Sequence, residues 1–457
     1  MLVARRLCVC LAVLSLVATA AIGAPRTDRC VILVSVDGLA HFYRQDPRAD
    51  MPTLRRLAAD GAQTNGMRCS FPTVTWPNHT TLVTGVVPAV HGVIGNNYLD
   101  RSTGKSVALI PDPLFDKDEI VKVPTIYDAA HDAGLKTVGI VWPASRNARS
   151  LDLTVPDMYG DGWTRFGTQS WLAELRAEGL PVDKQADWCK APTGGVQRDW
   201  LYTRMARQAI QKHSPNLLLI HLVETDHVEH RAGPRSDDAY WAVSYADDRI
   251  RDLVEAVEHS PLRGKTTIFI CSDHGFFPIT KDIRPNVVLA QLGLLDKAKG
   301  GKRSAFVLSQ GGAAAVYILD DAHRDQIAQQ LRDQLGHLEG VEAVIEAKDF
   351  GQIGQPRRDE DPHGADLWLA AKRNYSFTDS TDGDNPVVPR AGTAGTHGYL
   401  PSHDDLLATC VMWGAGIKPG AKLDTVSNLD VAPTIAKLLG IELPTAQGKV
   451  MTDALAP

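Results

Sequence analysis

Six side chains of metal-ligating type stand at the ends of apolar runs or in short polar loops. Asp37 directly follows the run Cys30-Val-Ile-Leu-Val-Ser-Val36. Asp226 and His230 follow Leu217-Leu-Leu-Ile-His-Leu-Val223, and Asp273 and His274 follow Thr267-Ile-Phe-Ile-Cys271. His397 stands in Gly395-Thr-His-Gly398, after a long polar region. A single acid at a strand tip is an ordinary turn former or helix cap. Three acids and three histidines in this arrangement point instead to chemistry. Mixed imidazole and carboxylate donors are what borderline divalent ions such as zinc prefer. With the Thr75 oxygen as a seventh donor, the set suits two ions with positions left open for substrate. In a two-metal site about 4 Å across, one ion holds the attacking oxygen and the other receives the leaving oxygen, which is what phosphoryl transfer requires.

Thr75 lies in FPTVTWPNHTTLVTGVVPAVHGVIGNN, Phe71 to Asn97. It stands directly before Trp76-Pro77, and an apolar-periodic run with Leu82 and Val83 follows, then Gly85. Proline suits the first helical turn, so the spacing predicts a helix beginning at Thr75. A hydroxyl there looks into the positive end of the helix dipole, beside N–H groups without intrahelical partners. Such a place suits a nucleophile attacking a phosphate and equally suits a plain N-cap.

These residues need a scaffold, and the pattern predicts one large α/β unit. Strand-like runs occur at Cys30 to Val36, Thr137 to Trp142, Leu217 to Val223, Thr267 to Cys271 and Ala313 to Leu319. Helix-like stretches lie between them: Thr53 to Asp60, Thr125 to Ala133, Asp199 to His213, Asp237 to Glu258, Arg324 to Leu335 and Val431 to Leu439. Apolar runs alternating with helices describe a mainly parallel sheet with helices on both faces. In such sheets active groups gather at the carboxyl ends of the strands. Two regions break the alternation, 160–197 and 349–395, and read as inserted lids, substrate loops or surface excursions.

The first residues declare a compartment. Arg5 and Arg6 precede an apolar run from Leu7 to Val17, and Ala18-Thr19-Ala20 supplies small residues for cleavage, so residues 1–24 read as a secretory signal peptide. The run is too short to span a membrane, and no later run is long enough, so an exported protein without a stable membrane anchor is expected, periplasmic or secreted. The roughly 435 residues that remain would on length alone suggest two or three domains, but the pattern gives one unit over 25–457 with the two inserts. Five cysteines remain, Cys30, Cys69, Cys189, Cys271 and Cys410, so at least one is unpaired. The formal charge is −6, and −8 without Arg5 and Arg6. With no long basic run, binding to a nucleic-acid polymer is not expected.

The same residues resemble the alkaline phosphatase superfamily, and within it the type I phosphodiesterase and nucleotide pyrophosphatase branch. The resemblance rests on VDG at Asp37, FPTVTWPNH around Thr75, HGVIGNN, WPAS at Trp142, the DxxxH of Asp226 and His230, SDHG at Asp273 and THG at His397, in that order. It implies that Asp226, His230 and His397 hold one zinc, and that Asp37, Asp273, His274 and the Thr75 oxygen hold a second. It implies a two-step displacement through a phosphothreonine diester, cleaved by water whose pKa a zinc ion lowers. Asn96 matches the residue that, with an N–H near the nucleophile, hydrogen-bonds a non-bridging phosphate oxygen; a neutral amide suits a diester's single charge.

The implied substrate is a small phosphodiester or a nucleotide. Trp76 stands where nucleotide-cleaving relatives carry an aromatic that stacks on the base, with Tyr159 as the opposing face. Trp76 alternatively walls the pocket, or forms part of a cage for a choline head group as in lipid-cleaving relatives. Glu224-Thr225-Asp226 replaces the family's usual Glu-Pro-Asp, and Val74 stands where a lysine is frequent. A phosphate monoesterase is the competing enzyme, with Arg146 as the cation it would need. A secreted zinc-binding protein without turnover is the non-enzymatic alternative. His79 reads as a supporting residue of the nucleophile's helix, and His227 and Glu229 as pointing away from the metals. His221 either lines the pocket or ends its strand.

Overall fold

The computed structural model describes residues 24–110, 115–297 and 301–457. The expected signal peptide lies outside the described residues except for Ala24. Five neighbouring strands run parallel, in the order Thr266–Cys271, Cys30–Val36, Leu217–Leu222, Thr137–Trp142 and Leu153–Pro156. On the other side of Thr266–Cys271 lie Cys410–Gly414, which pairs antiparallel to it, then Ala62–Thr64 and Ala421–Leu423. This is the α/β architecture with a mainly parallel central sheet that the alternation predicts.

Alternate residues of the first strand show why the runs are apolar throughout. Ile32, Val34 and Val36 share a buried cluster with Leu54 and Leu57 of helix Pro52–Asp60 and with Val243 and Ile250 of helix Asp237–Glu258. Val31 and Leu33 belong to a second cluster with Ile126 and Tyr127 of helix Ile126–Asp132 and Ile435 and Leu439 of helix Val431–Leu439. Both faces of the strand are therefore dry. Each such side chain contributes about 1.5–3 kcal/mol of burial, so polar residues collect at strand tips.

Ala313–Ile318 is a strand, but not of the central sheet. It belongs to a separate antiparallel sheet, ordered Ala305–Gln310, Ala313–Ile318, Leu367–Ala371 and Val341–Glu346. The two-residue connection Gly311-Gly312 makes it half of a hairpin, and a hairpin can only pair antiparallel. Helix Arg324–Gly336 covers this second sheet with Ile327, Leu331 and Leu335.

Neither irregular region is a bare loop. Residues 160–197 form short helices whose Trp163, Trp171 and Leu175 are buried in the same cluster as the central strands. Residues 349–395 contain the strands Leu367–Ala371, Asn374–Phe377 and Val387–Pro389. The next pair, Gly395–Thr396, lies antiparallel to Phe277–Ile283 with Thr396 opposite Phe277, which fixes the chain one residue before His397. The five cysteines among the described residues are free thiols; Cys271 and Cys410 are register partners with sulfurs 3.9 Å apart.

Candidate active site

Helix Thr75–Thr84 is buried at every residue and ends at Gly85 in the left-handed conformation glycine favours. Val74, extended, occupies the N-cap position, and no side chain caps the helix. The Thr75 hydroxyl is thus left unused by the helix, and the plain N-cap reading is set aside. Thr75 lines a cavity with Asp37, Asp226, Tyr159, Arg198 and His227. Beside it, the Trp76 N–H donates to Asn96 Oδ1 at 2.9 Å. The Asn96 N–H in turn donates to Gln310 Oε1 at 3.0 Å, so the glycine hairpin of the second sheet steadies this corner.

The strand tips bring the six acids and histidines together. His230 Nε2 lies 3.1 Å from His397 Nε2, and Asp226 Oδ1 lies 3.3 Å and 3.5 Å from those two nitrogens. His274 Nε2 lies 3.3 Å from Asp37 Oδ1 and 3.2 Å from Asp273 Oδ2. Ligands about 2.0–2.1 Å from a tetrahedral zinc sit roughly 3.3 Å from one another, so Asp226, His230 and His397 have the spacing such an ion requires, and His274 stands at that spacing from Asp37 and from Asp273. Asp37, Asp226 and His274 also offer donor atoms within 4.8 Å of one another, so the two trios adjoin.

Hydrogen bonding supports the same fit. Asp37 Oδ1, Asp226 Oδ1, Asp273 Oδ2 and His274 Nε2 are buried without a hydrogen-bond partner, and buried polar atoms seldom stay so. His230 Nδ1 faces the Gly395 carbonyl at 3.1 Å and His397 Nδ1 faces that of Thr73 at 3.0 Å. A carbonyl there places the ring proton on Nδ1 and leaves each Nε2 lone pair toward the cluster. Burial, then the neighbouring carboxylates, pushes Asp37 well above the usual acid range, and burial and Asp226 push Asp273 up to about 8. A divalent cation is the natural relief for acids so crowded.

The histidines outside the ligand set sort by contact. His221 Nε2 lies 3.0 Å from Asp37 Oδ2, and its Nδ1 faces the Val141 carbonyl, so it lines the cavity and orients the Asp37 carboxylate. His79 Nδ1 bonds the Thr75 carbonyl at 2.9 Å and stacks edge-on against Trp142. Glu229 turns away from the cluster to accept from the Tyr43 hydroxyl at 2.6 Å. His227 is in neither group of clustered donor atoms; it lines the cavity and meets Arg198.

Three further placements bear on substrate. Trp76 is wholly buried in a cluster with Val93, Leu109, Val121 and Ala144 and is not in the cavity lining, so it presents no face to a base or a choline and packs behind the site. Position after Thr75 cannot reveal that, because either side of the helix is open to an aromatic. Tyr159 is 41% exposed and lines the cavity. Arg146 is held by Asp116 at 2.7 Å and lies over the Phe166 ring, away from the cavity lining. Arg198, which sequence reasoning missed, is in the lining. Its signal was legible: Arg198, Leu201, Tyr202 and Met205 form the buried stripe of helix Gly194–Gln208, and a cation on an apolar stripe asks for a reason.

A mainly parallel sheet with a threonine at a helix N-terminus and two His/Asp trios at its strand tips defines an alkaline phosphatase-like fold. The chain belongs to the type I phosphodiesterase / nucleotide pyrophosphatase family, whose model matches residues 31–400. It is 25% identical over 415 residues to an uncharacterized pyrophosphatase/phosphodiesterase of Schizosaccharomyces pombe, covering 90% of this chain and 77% of that protein. With ectonucleotide pyrophosphatase/phosphodiesterase family member 3 of Rattus norvegicus it shares 26% identity over 249 residues, 54% of this chain but only 24% of that longer protein. Murine ectonucleotide pyrophosphatase/phosphodiesterase 5 superposes with a TM-score of 0.71 at 18% identity, covering 94% of this chain and 100% of that one. That murine protein is also known as an inactive Thr-to-Ala variant in complex with AMP.

Proposed function

We propose that the protein is an exported hydrolase that cleaves phosphodiester or phosphoanhydride bonds of small substrates such as nucleotides through a covalent phosphothreonine at Thr75. Asp226, His230 and His397 would hold one zinc, and Asp37, Asp273 and His274, with the Thr75 oxygen, a second. Two zinc ions so held would lower the pKa of a hydroxyl or water and neutralise charge developing on the attacked phosphoryl group. Thr75 Oγ forms the bond to phosphorus while the bond to the leaving oxygen breaks. Asn96 Nδ2 is the donor available to a non-bridging oxygen. Water then releases the product and restores the threonine.

The observation that carries this reading is the set of partnerless, buried donor atoms converging beside an uncapping threonine. The names of the relatives support a diester or pyrophosphate substrate, and the AMP complex of the murine relative supports a nucleotide. The N-terminal charge and apolar pattern supports export; among the described residues no helix is long and apolar enough to cross a membrane. The commitment of Arg146 to Asp116 favours a diester over a monoester. The test is turnover of bis-p-nitrophenyl phosphate, the p-nitrophenyl ester of thymidine monophosphate and p-nitrophenyl phosphate by zinc-loaded protein, beside Thr75→Ala. Diester rates far above the monoester rate, lost with Thr75 while zinc is retained, are expected. A dominant monoester rate would overturn the diester assignment, and undiminished turnover by Thr75→Ala would overturn the phosphothreonine.

A further inference from the structure

Cys271 and Cys410 face each other across two strands of the central sheet. They are register partners in the antiparallel ladder between Thr266–Cys271 and Cys410–Gly414, and their sulfurs are 3.9 Å apart. At one end of the ladder the Ser272 N–H donates to the Thr409 carbonyl at 3.0 Å, and at the other the Ala415 N–H donates to that of Thr266 at 2.8 Å. Hydrogen-bonded pairs alternate along such a ladder, so both ends place Cys271 and Cys410 in a pair that exchanges no backbone hydrogen bonds. Opposed residues of that kind stand closest, with Cα atoms about 4.5 Å apart. A disulfide accepts Cα separations of about 4.4–6.8 Å, so rotating the two side chains brings the sulfurs to bonding distance and asks little of the backbone.

Both residues are buried, in the cluster that also packs Leu33, Phe269 and Met412. Cys69 shares that cluster but is the register partner of neither. Burial shields the pair from oxidants and reductants once the chain is folded, so its state is set during folding, by the compartment in which folding occurs. Thr409, next to Cys410, joins the two loops that carry Asp37 and Asp273. Its carbonyl accepts from Ser272, beside Asp273, and its N–H donates to the Leu39 carbonyl at 3.1 Å, two residues from Asp37. A covalent bond at Cys410 holds the point where those loops meet.

Resting on the export reading above, we infer that Cys271 and Cys410 form a disulfide as the exported chain folds, and that the bond fixes the strand tips beneath Asp37 and Asp273. The step is an exchange with an oxidising disulfide of the compartment, such as that of a thiol oxidase. One cysteine attacks a sulfur of that disulfide, and the second displaces the oxidant from the mixed disulfide. The Cys271–Cys410 S–S bond forms and the oxidant's S–S bond breaks. Two electrons and two protons pass to the oxidant, which leaves as a dithiol.

The test produces the full chain in a bacterial host that has its periplasmic thiol oxidase and in one that lacks it. Periplasmic protein is alkylated in guanidinium without reductant, digested and mapped by mass spectrometry. The first host is expected to give linked peptides carrying Cys271 and Cys410, with Cys30, Cys69 and Cys189 alkylated. The second should give Cys271 and Cys410 largely alkylated. After chelator treatment the linked protein should melt several degrees above the unlinked, because a bond between residues 139 positions apart restricts the unfolded chain. Both samples have the same sequence, so the folding of a variant does not enter. Alkylated Cys271 and Cys410 in periplasmic protein from the first host would overturn the inference, as would a bond from either to Cys69, or equal melting of the linked and unlinked forms. A chain retained in the cytoplasm would instead count against the export reading, and the same chain behind the host's own leader would then decide the pair.

Discussion

The Trp76 N–H and the Asn96 carboxamide oxygen meet at 2.9 Å. That bond uses the acceptor end of the amide and leaves its NH2 end as the donor, at the N-terminus of the helix Thr75–Thr84 where partial positive charge collects. Asn96→Asp removes the donor and adds a negative charge, and is expected to lower kcat for a diester by about 10²–10³, the usual cost of losing one such donor. Asn96→Ala should lose less than Asp, having no repulsive charge. Steady-state rates on bis-p-nitrophenyl phosphate decide it, and an Asp variant as fast as the wild type would remove Asn96 from the reaction.

His221 holds Asp37 from behind, at 3.0 Å, and is itself held by the Val141 carbonyl at 3.2 Å. Removing such a support typically weakens metal binding about 10- to 100-fold. His221→Ala should therefore release one zinc equivalent to a competing chromophoric chelator more readily than the wild type, with the other equivalent little changed. Identical competition curves would show that Asp37 needs no such support.

Trp76 is a packing residue. Its complete burial means that Trp76→Ala should cost about 3–5 kcal/mol of stability, the range for large aromatic truncations. The ratio of thymidine ester to bis-p-nitrophenyl phosphate turnover should stay near that of the wild type. Urea unfolding and the rate ratio are read on the same sample; a selective loss of the thymidine ester with stability intact would return Trp76 to the base site.

Tyr159 carries the opposite expectation, because it is partly exposed and in the cavity lining. A base stacked on an aromatic ring contributes about 1–3 kcal/mol. Tyr159→Ala should raise KM for the thymidine ester selectively, while Tyr159→Phe keeps the ring and most of the affinity. Equal effects of both variants on plain diesters and nucleotides would assign Tyr159 no base.

The central sheet and the gathering of Asp37, Asp226 and Asp273 were legible because each strand is apolar on both faces and must expel its acids to the tip. Membership in a sheet was less legible. Ala313–Ile318 is as apolar as a central strand, and only its pairing through Gly311-Gly312 assigns it to the second sheet. Facing was not legible at all for Trp76, whose neighbours Leu109 and Val121 come from a separate stretch of chain. The role of His227 was hidden for the same reason, since Arg198 reaches it from a helix that begins 33 residues earlier, at Gly194 rather than 227.

Asp199 gives the protein a pH dependence that does not involve a metal ligand. Its two oxygens accept from the N–H groups of Val223 and Glu224 at 2.8 Å and 3.0 Å, ahead of the loop that carries Asp226. Burial raises its pKa from 3.8 to about 6, and the two N–H bonds, Arg198 and Arg249 only partly oppose the rise. Between those values the folded chain keeps a proton that the unfolded chain has released, so stability falls as pH rises through this window. The contribution is fully present below 3.8 and lost above about 6. Asp199→Asn cannot ionise, but its single acceptor oxygen leaves one buried N–H unpaired, a pH-independent cost of about 1–3 kcal/mol. The variant should therefore melt below the wild type at pH 4, close the gap as pH rises to 6, and hold a constant difference beyond. Melting temperatures of chelator-treated protein measure this without metal release contributing. Parallel curves from pH 4 to 8 would mean that Asp199 is already ionised throughout, with its two N–H bonds outweighing its burial.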